Sequence, residues 1–466
     1  CKKVMVHYNK VNTENEIISF IAPGSKSETN RLILLASLGC GETCLNGALI
    51  CDDTLYMIEA LQSFGVDIKF KGNINNGNNQ DIIIKGCEGK FKGINDFEIL
   101  PMEIFTGNSG TCMRFLTPII ATCFHNIEDD NIIIRGDKYM NKRPINGLID
   151  VLKDCKIEYE NQYGCPPIKI NLLRKFCGGD IVFGPNGISS QFISGIMMAA
   201  PNAESDTNII ISKLYPSLSF VNLTYEMMLK FNIIIVRVED DENVYYTIKA
   251  DKYTNPSSIE IECDATACIY PMVHSMLSDV NIVISNIKET NKQGDFSLYK
   301  RIINVDTDMS DTSINQVDLD SSDTFMTFAV LYSFREGIHV LHNIANQNKK
   351  ECKRIDATYE ALKKCGVHIR LQNNEIFIRG KKNYPLNDKI IYLDCHDDHR
   401  LVMSFALLAT KMNNIVLSNY KAVTKTYPLF WEDMKKLGLS FSPYMDDKLI
   451  EHKKTNIKYQ NGTKII

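Results

Sequence analysis

Six times along this chain a short polar group opens onto a strongly apolar stretch of helical length. The polar heads are Ser25-Lys26-Ser27, Asn108-Ser109-Gly110-Thr111, Ser189-Ser190-Gln191, Asp264-Ala265-Thr266, Ser321-Ser322-Asp323 and Asp397-Asp398-His399-Arg400. The stretches behind them read LILLASL, MRFLTPIIA, FISGIMMAA, IYPMVHSML, FMTFAVLYSF and LVMSFALLA. Apolar on nearly every face, such helices are stable only when buried. A second element answers the first. Amphipathic segments run into a small or polar turn residue and then a β-former, at Leu61–Val66, Leu152–Ile157, Met228–Ile233, Leu362–Val367 and Met434–Leu439. The copy expected near 297–305 is weak. The chain thus reads as six α/β units, each of roughly 60–90 residues, that cannot bury their own faces alone.

Strands are expected at Asp81–Ile84, Asn131–Ile134, Asn208–Ile211, Asn281–Ile284 and Asn414–Leu417, each between a buried helix and an amphipathic one. Six units divide as three and three. The expected fold is α/β, with two similar domains of three repeated units each. The first domain would span residues 25–258, and the second 1–24 with 259–445. Residues 446–466 are polar and Lys/Asn-rich and read as a linker-like tail. Segments Asn73–Gln80 and Glu239–Glu242 read as exposed loops.

Composition excludes several classes. A length of 466 residues exceeds one ordinary core. A net charge of −4 argues against a general nucleic-acid or membrane surface, so any basic site must be local. No apolar run approaches the ~18–20 residues of a membrane span. Fifteen scattered cysteines without a C-x-x-C pair suit reduced thiols and a cytoplasmic setting. The start at Cys1 fits a segment of a longer chain.

The polar heads carry the chemistry. Pro23-Gly24 predicts a tight turn, Ser25 or Ser27 a helix cap, and Ser27 with Arg31 one shared face. Helix N-termini favour anions, and several aimed at one cleft add their partial charges. Lys26, Arg31, Arg114, Arg143, Lys350, Arg354, Arg400 and Lys425 lie near such starts. A cleft of this kind suits a substrate with several negative groups. Asp323 reads either as an N-cap or as a carboxyl held for proton transfer, and Glu351 either as a helix ion pair or in the same second role. His396 and His399 adjoin Arg400, which disfavours a metal. There is no G-x-x-x-x-G-K-[ST] loop and no G-x-G-x-x-G fingerprint.

The motifs in order are Pro23-Gly24-Ser25-Lys26-Ser27 with Arg31, Gly107-Asn108-Ser109-Gly110-Thr111 with Arg114, Arg143-Pro144-Ile145, Ser189-Ser190-Gln191 and Asp264-Ala265. Gln293-Gly294-Asp295, Asp323, Asn346-Gln347, Lys350-Glu351-Cys352-Lys353-Arg354, Asp397-Asp398-His399-Arg400 and Lys425-Thr426 follow. With these the chain resembles 5-enolpyruvylshikimate-3-phosphate synthase (EPSP synthase) over nearly its whole length. The Ile344-Ala345-Asn346-Gln347 and Glu351-Cys352 forms are most similar to the fungal version, one part of the pentafunctional AROM polypeptide. The resemblance implies an inside-out barrel of two closing domains. It implies transfer of the enolpyruvyl group of phosphoenolpyruvate to the 5-hydroxyl of shikimate 3-phosphate with release of phosphate, without metal or organic cofactor. Carried over by position, Lys26, Ser27, Arg31, Ser189, Ser190, Gln191, Ser217, Asp323, Asn346 and Lys350 would hold shikimate 3-phosphate. Lys26, Gly110, Arg354, Arg400 and Lys425 would hold phosphoenolpyruvate. Asp323, helped by Lys26, would take the hydroxyl proton, and Glu351 would protonate the methylene carbon. Glyphosate is the implied competitor, and flanking shikimate-pathway domains are the implied partners.

The chain departs from the family at Tyr139, where an Arg is usual; loss of a charged hydrogen bond there would weaken phosphoenolpyruvate by about 10- to 100-fold. Asn348, Phe220 and Ala422 also depart. Two other readings stay open: a catalytically weakened domain kept for assembly, or enolpyruvyl transfer to a UDP-amino sugar.

Overall fold

The computed structural model describes residues 3–11, 17–72, 79–91, 102–124, 131–153, 155, 157–160, 164–173, 176–303, 314–319, 322–384 and 389–444. The expected tail lies outside the described residues.

The six apolar stretches are helices: Lys26–Leu38, Gly110–Cys123, Ser190–Ala199, Ala265–Ser278, Phe325–Ser333 and His399–Ala406. Every residue of Gly110–Cys123 and of Phe325–Ser333 is buried, as an all-round apolar surface demands. At five heads a side chain receives an N–H of the first turn: Ser25 from Glu28, Ser109 from Cys112, Ser189 from Gln191, Asp264 from Ala267 and Asp398 from Arg400. At the Ser322-Asp323 head the helix starts from Thr324 without a side-chain cap; Ser322 accepts the Thr324 N–H just ahead of it, and the Asp323 carboxylate is turned to other partners.

The amphipathic elements are the helices Asp52–Ser63, Leu218–Leu229, Arg354–Lys364 and Phe430–Lys436. Each turns into its strand through a left-handed residue: Gly65 (φ 84°), Asn232 (62°), Gly366 (79°) and Gly438 (88°). Glycine and asparagine are the residues that tolerate this conformation. The weak copy is the helix Asp295–Ile303.

Among the described residues five four-stranded sheets share one plan: a parallel pair, then two antiparallel neighbours. In the second unit Met102–Phe105 pairs in parallel with Asn131–Arg135, and the buried helix Gly110–Cys123 forms the crossover between them. Ile168–Asn171 and Ile157–Tyr159 complete that sheet. A sixth, two-stranded sheet joins Ile18–Phe20 to Ile282–Ile284. The strand expectations hold, with one difference of position. In the first unit the strand between the buried and amphipathic helices is Glu42–Leu49, and Asn79–Lys85 comes after both. Asn79 and Gln80 accordingly belong to a strand, not to a loop.

Two hydrophobic cores result. One collects buried residues from Leu32 to Ile261, and the other Val4–Ala22 with Cys263–Leu439. The chain crosses between them twice, and the two crossings lie side by side. Ser25 N–H donates to Glu262 O at 2.8 Å and Asp264 N–H to Pro23 O at 2.8 Å, with a bridge at Gly24 and Cys263. Pro23-Gly24 is thus an extended crossing, not a tight turn. A side chain on Gly24 would strike the Gly47 carbonyl oxygen. Ile18–Phe20 stays with the second core, whereas Ser258–Glu260 pairs with Glu42–Leu49 of the first. No helix among the described residues is long and apolar enough to cross a membrane.

Candidate active site

The polar heads from both cores meet around one cavity. Eleven of the expected site residues line it: Lys26, Ser27, Arg31, Ser189, Ser190, Gln191, Ser217, Asp323, Asn346, Lys350 and Arg400. Local folding explains the arrangement. Side chains in a first helical turn surround the free N–H groups of that turn, so residues beside a cap face the same space as the cap. Ser217 reaches the cavity differently. It precedes the helix Leu218–Leu229 in a left-handed conformation (φ 61°) that is costly for a serine and must be held by its surroundings.

Each cation has a defined support. Arg31 donates to the Thr224 hydroxyl (2.7 Å), to the Ser27 and Phe220 carbonyls (2.9 and 3.2 Å) and to the Ser194 hydroxyl (3.3 Å). Lys26 pairs with Asp53 at 2.8 Å. Burial pulls the Lys26 ammonium down, but Asp53 outweighs it and the pKa ends above the ordinary value. Lys350 stands 3.4 Å from Asp323; burial dominates there and lowers its pKa despite that carboxylate. Arg400 donates to the Tyr270 hydroxyl at 3.0 Å, and its Nε, also buried, has no partner among the described residues.

Glu351, Arg354 and Lys425 form a knot beside the cavity. Arg354 is fully buried and all five of its donors are engaged. They meet Asp398 (2.7 and 3.2 Å), Asp323 (2.9 Å), Gln347 (3.0 Å) and Glu351 (2.6 Å). Lys425 holds the other Glu351 oxygen at 2.6 Å. Burial alone would push both carboxyls up. For Glu351 the Arg354, Lys425 and Arg143 cations outweigh burial, and for Asp323 Lys350, Arg354 and Arg400 do so; both end well below the usual carboxylate range. Both are therefore ionised at neutral pH.

Gly110 begins the helix Gly110–Cys123, and a methyl group there would lie 3.0–3.2 Å from the Arg143 guanidinium. Arg143 is buried, 3.9 Å from Glu351, and its Nε has no partner among the described residues. Sequence reasoning noted its position but gave it no substrate. Tyr139, four residues earlier, is elsewhere: it lines a separate groove with Lys138, Asp397, Asn419, Tyr420, Lys421 and Ala422. The guanidinium beside Gly110 and Glu351 is thus supplied by Arg143, and the missing Arg at 139 does not leave this spot bare.

Other residues had no assigned role. Arg114 ties Ser189 (3.3 Å) to Gln191 (2.7 Å); its place in a polar head was the available signal. Thr111, Asp264, Thr266 and Asp295 line the cavity. Asp53 belongs to no head and no motif, and only its contact with Lys26 reveals it; Gln347 stood in a motif without a role, and its bond to Arg354 supplies one. A wall with this many cations, two ionised carboxylates and many hydroxyls can bind a polyanion and move a proton to or from it.

The family model for EPSP synthase (3-phosphoshikimate 1-carboxyvinyltransferase) matches residues 17–434. The chain is 31% identical over 489 residues to the pentafunctional AROM polypeptide of Pneumocystis carinii, covering 97% of this chain and 30% of that protein. It is 33% identical over 426 residues to the 3-phosphoshikimate 1-carboxyvinyltransferase of Buchnera aphidicola subsp. Cinara cedri, covering 88% of this chain and 92% of that one. The chain therefore spans less than a third of the length of the AROM relative. The solved structure of EPSP synthase from Acinetobacter baumannii is similar in fold, with a TM-score of 0.69 at 21% identity over 95% of this chain and 99% of that chain. By its sequence over nearly its full length, this chain belongs to the EPSP synthase family.

Proposed function

We propose that this chain transfers the enolpyruvyl group of phosphoenolpyruvate to the 5-hydroxyl of shikimate 3-phosphate and releases phosphate. The observation that carries the reading is the meeting of Lys26, Arg31, Lys350 and Arg400 around Asp323 in one cavity drawn from both cores. Shikimate 3-phosphate would lie against Ser27, Arg31, Ser189, Ser190, Gln191, Ser217, Asn346 and Lys350. Phosphoenolpyruvate would lie against Lys26, Gly110, Arg354, Arg400 and Lys425, with Arg143 added on its position beside Gly110. Asp323 takes the hydroxyl proton as the oxygen bonds to the central carbon of phosphoenolpyruvate, and Glu351 gives a proton to its methylene carbon. In the second half Glu351 takes that proton back, the double bond reforms and phosphate leaves.

Glu351 must gain a proton before the first half. A bound phosphoenolpyruvate brings negative charge to Arg354, Lys425 and Arg143, and so weakens the hold of these cations on Glu351. The substrate thereby raises the proton affinity of its own acid. Pre-placed cations around developing charge are the larger part of such catalysis. The setting of the reaction is the cytoplasm, and flanking domains of a longer polypeptide are the partners this reading implies.

Phosphate release from purified chain, with both substrates, tests the proposal. Turnover should appear, Glu351→Gln should remove it by about 100-fold or more, and glyphosate should compete with phosphoenolpyruvate. Absence of turnover in a folded sample, or binding of a UDP-amino sugar in place of shikimate 3-phosphate, overturns it.

A further inference from the structure

Asp295 is a cavity-lining carboxylate with no ion pair among the described residues and no role in the reaction above. It is 5% exposed and begins the helix Asp295–Ile303. Both of its oxygens accept from hydroxyl groups: Oδ1 from Ser322 at 2.8 Å, and Oδ2 from Thr266. A carboxylate only accepts, so it dictates where each hydroxyl proton points. Ser322 has one such proton and directs it to Asp295. Its lone pairs are then free for Thr324, whose N–H donates at 3.0 Å and whose hydroxyl lies at 2.8 Å. Residue 323 is the centre of the turn fixed in this way. Its carboxylate points instead to Arg354 and Lys350.

We propose that Asp295 is a positioning residue: through Ser322 it holds the turn that aims Asp323 at the attacking hydroxyl. The assignment rests on the enolpyruvyl-transfer reading. Two effects follow from it. The hydroxyl bridge sets the direction of Asp323. The negative charge of Asp295, close enough for the two carboxylates to raise each other's proton affinity, makes Asp323 a stronger base. Burial pushes the Asp295 carboxyl up, and the hydroxyls of Thr266 and Ser322 pull it partly back.

The test compares parent, Asp295→Asn, Ser322→Ala and Ser322→Thr with phosphoenolpyruvate and shikimate 3-phosphate, reading kcat, both KM values, Tm and the pH profile of kcat. For Asp295→Asn and Ser322→Ala, kcat should fall by about 10- to 100-fold while both KM values stay within about 3-fold, the pattern of a lost transition-state contact. Ser322→Thr should recover most of the rate. The acid limb of the Asp295→Asn profile should move to lower pH, because removing a neighbouring negative charge weakens the base. The role is overturned if the parent turns over and both kcat values stay within about 2-fold of it. It is also overturned if kcat falls only together with Tm, with the acid limb unmoved and Ser322→Thr no better than Ser322→Ala. Should the parent itself show no turnover, the enolpyruvyl-transfer reading fails first, and this role with it.

Discussion

Arg354 and Asp398 form a two-pronged ion pair in which neither side chain is exposed, with Nε to Oδ2 at 2.7 Å and Nη2 to Oδ1 at 3.2 Å. Asp398 also caps the helix His399–Ala406 through the Arg400 N–H. Truncation to Ala would leave a buried guanidinium short of its counter-charge, which costs about 3–5 kcal/mol, with about 1 kcal/mol more for the lost cap. Urea unfolding of Asp398→Ala should show a loss of that size, and Asp398→Asn a smaller one. A loss below about 1 kcal/mol would mean that Asp323 and Glu351 alone satisfy Arg354.

Gly110 faces the guanidinium of Arg143. In Gly110→Ala the arginine must give way by a few tenths of an ångström. The expected result is a rise of about 3- to 10-fold in KM for phosphoenolpyruvate, with KM for shikimate 3-phosphate unchanged. Steady-state kinetics with each substrate varied in turn separates the two. An equal rise in both would place Gly110 outside the phosphoenolpyruvate side.

Tyr139 lines its own groove, with Lys138 Nζ 4.9 Å from its ring centre. Tyr139→Arg adds a charge to a half-exposed position, where such charges contribute little. KM for phosphoenolpyruvate should stay within about 3-fold of the parent. A tightening of tenfold or more would show that position 139 does reach the substrate and that Arg143 does not replace it.

Glu28 sits at the double crossing, where its Oε2 accepts from the Glu262 N–H at 3.1 Å. Burial is the main cause that raises its pKa from 4.5 to about 7; the Glu262 and Asp264 carboxylates add to the rise, while the Glu262 N–H and Lys230 oppose it. A carboxyl with a raised folded-state pKa stabilises the fold most below its unfolded value. That stability is lost as pH climbs through the folded value, here from 4.5 to about 7, a change of about 3 kcal/mol. Glu28→Gln keeps an acceptor for the Glu262 N–H and removes the titration. Between about pH 4.5 and 8 the parent should therefore lose about 3 kcal/mol relative to Glu28→Gln in unfolding experiments. Parallel pH dependences of the two proteins would show that Glu28 does not titrate in this window.

The six buried helices, the capping side chains at five of them and the left-handed exits at Gly65, Asn232, Gly366 and Gly438 are written in the local sequence. These are local properties: an apolar surface all round, a hydroxyl or carboxylate two or three residues from a free N–H, a backbone angle that few residues accept. It also placed most of the cavity residues, because a polar head and its helix mouth are one local unit repeated along the chain; Ser217 and Asn346 belong to no head and were implied by the family resemblance alone. Tertiary structure alone decided matters between distant segments. Pro23-Gly24 runs extended because its hydrogen-bonding partner is the second crossing at Glu262–Asp264, not its own neighbours. Asp323 is turned from cap to ionic partner by Ser322 on one side and Arg354 on the other. The pairing of Lys26 with Asp53, the lodging of Arg143 rather than residue 139 beside Gly110, and the knot of Glu351 with Arg354 and Lys425 depend on which helices meet. Electrostatic energy in a buried site falls with distance between side chains, and distance across the fold is what a linear sequence does not contain.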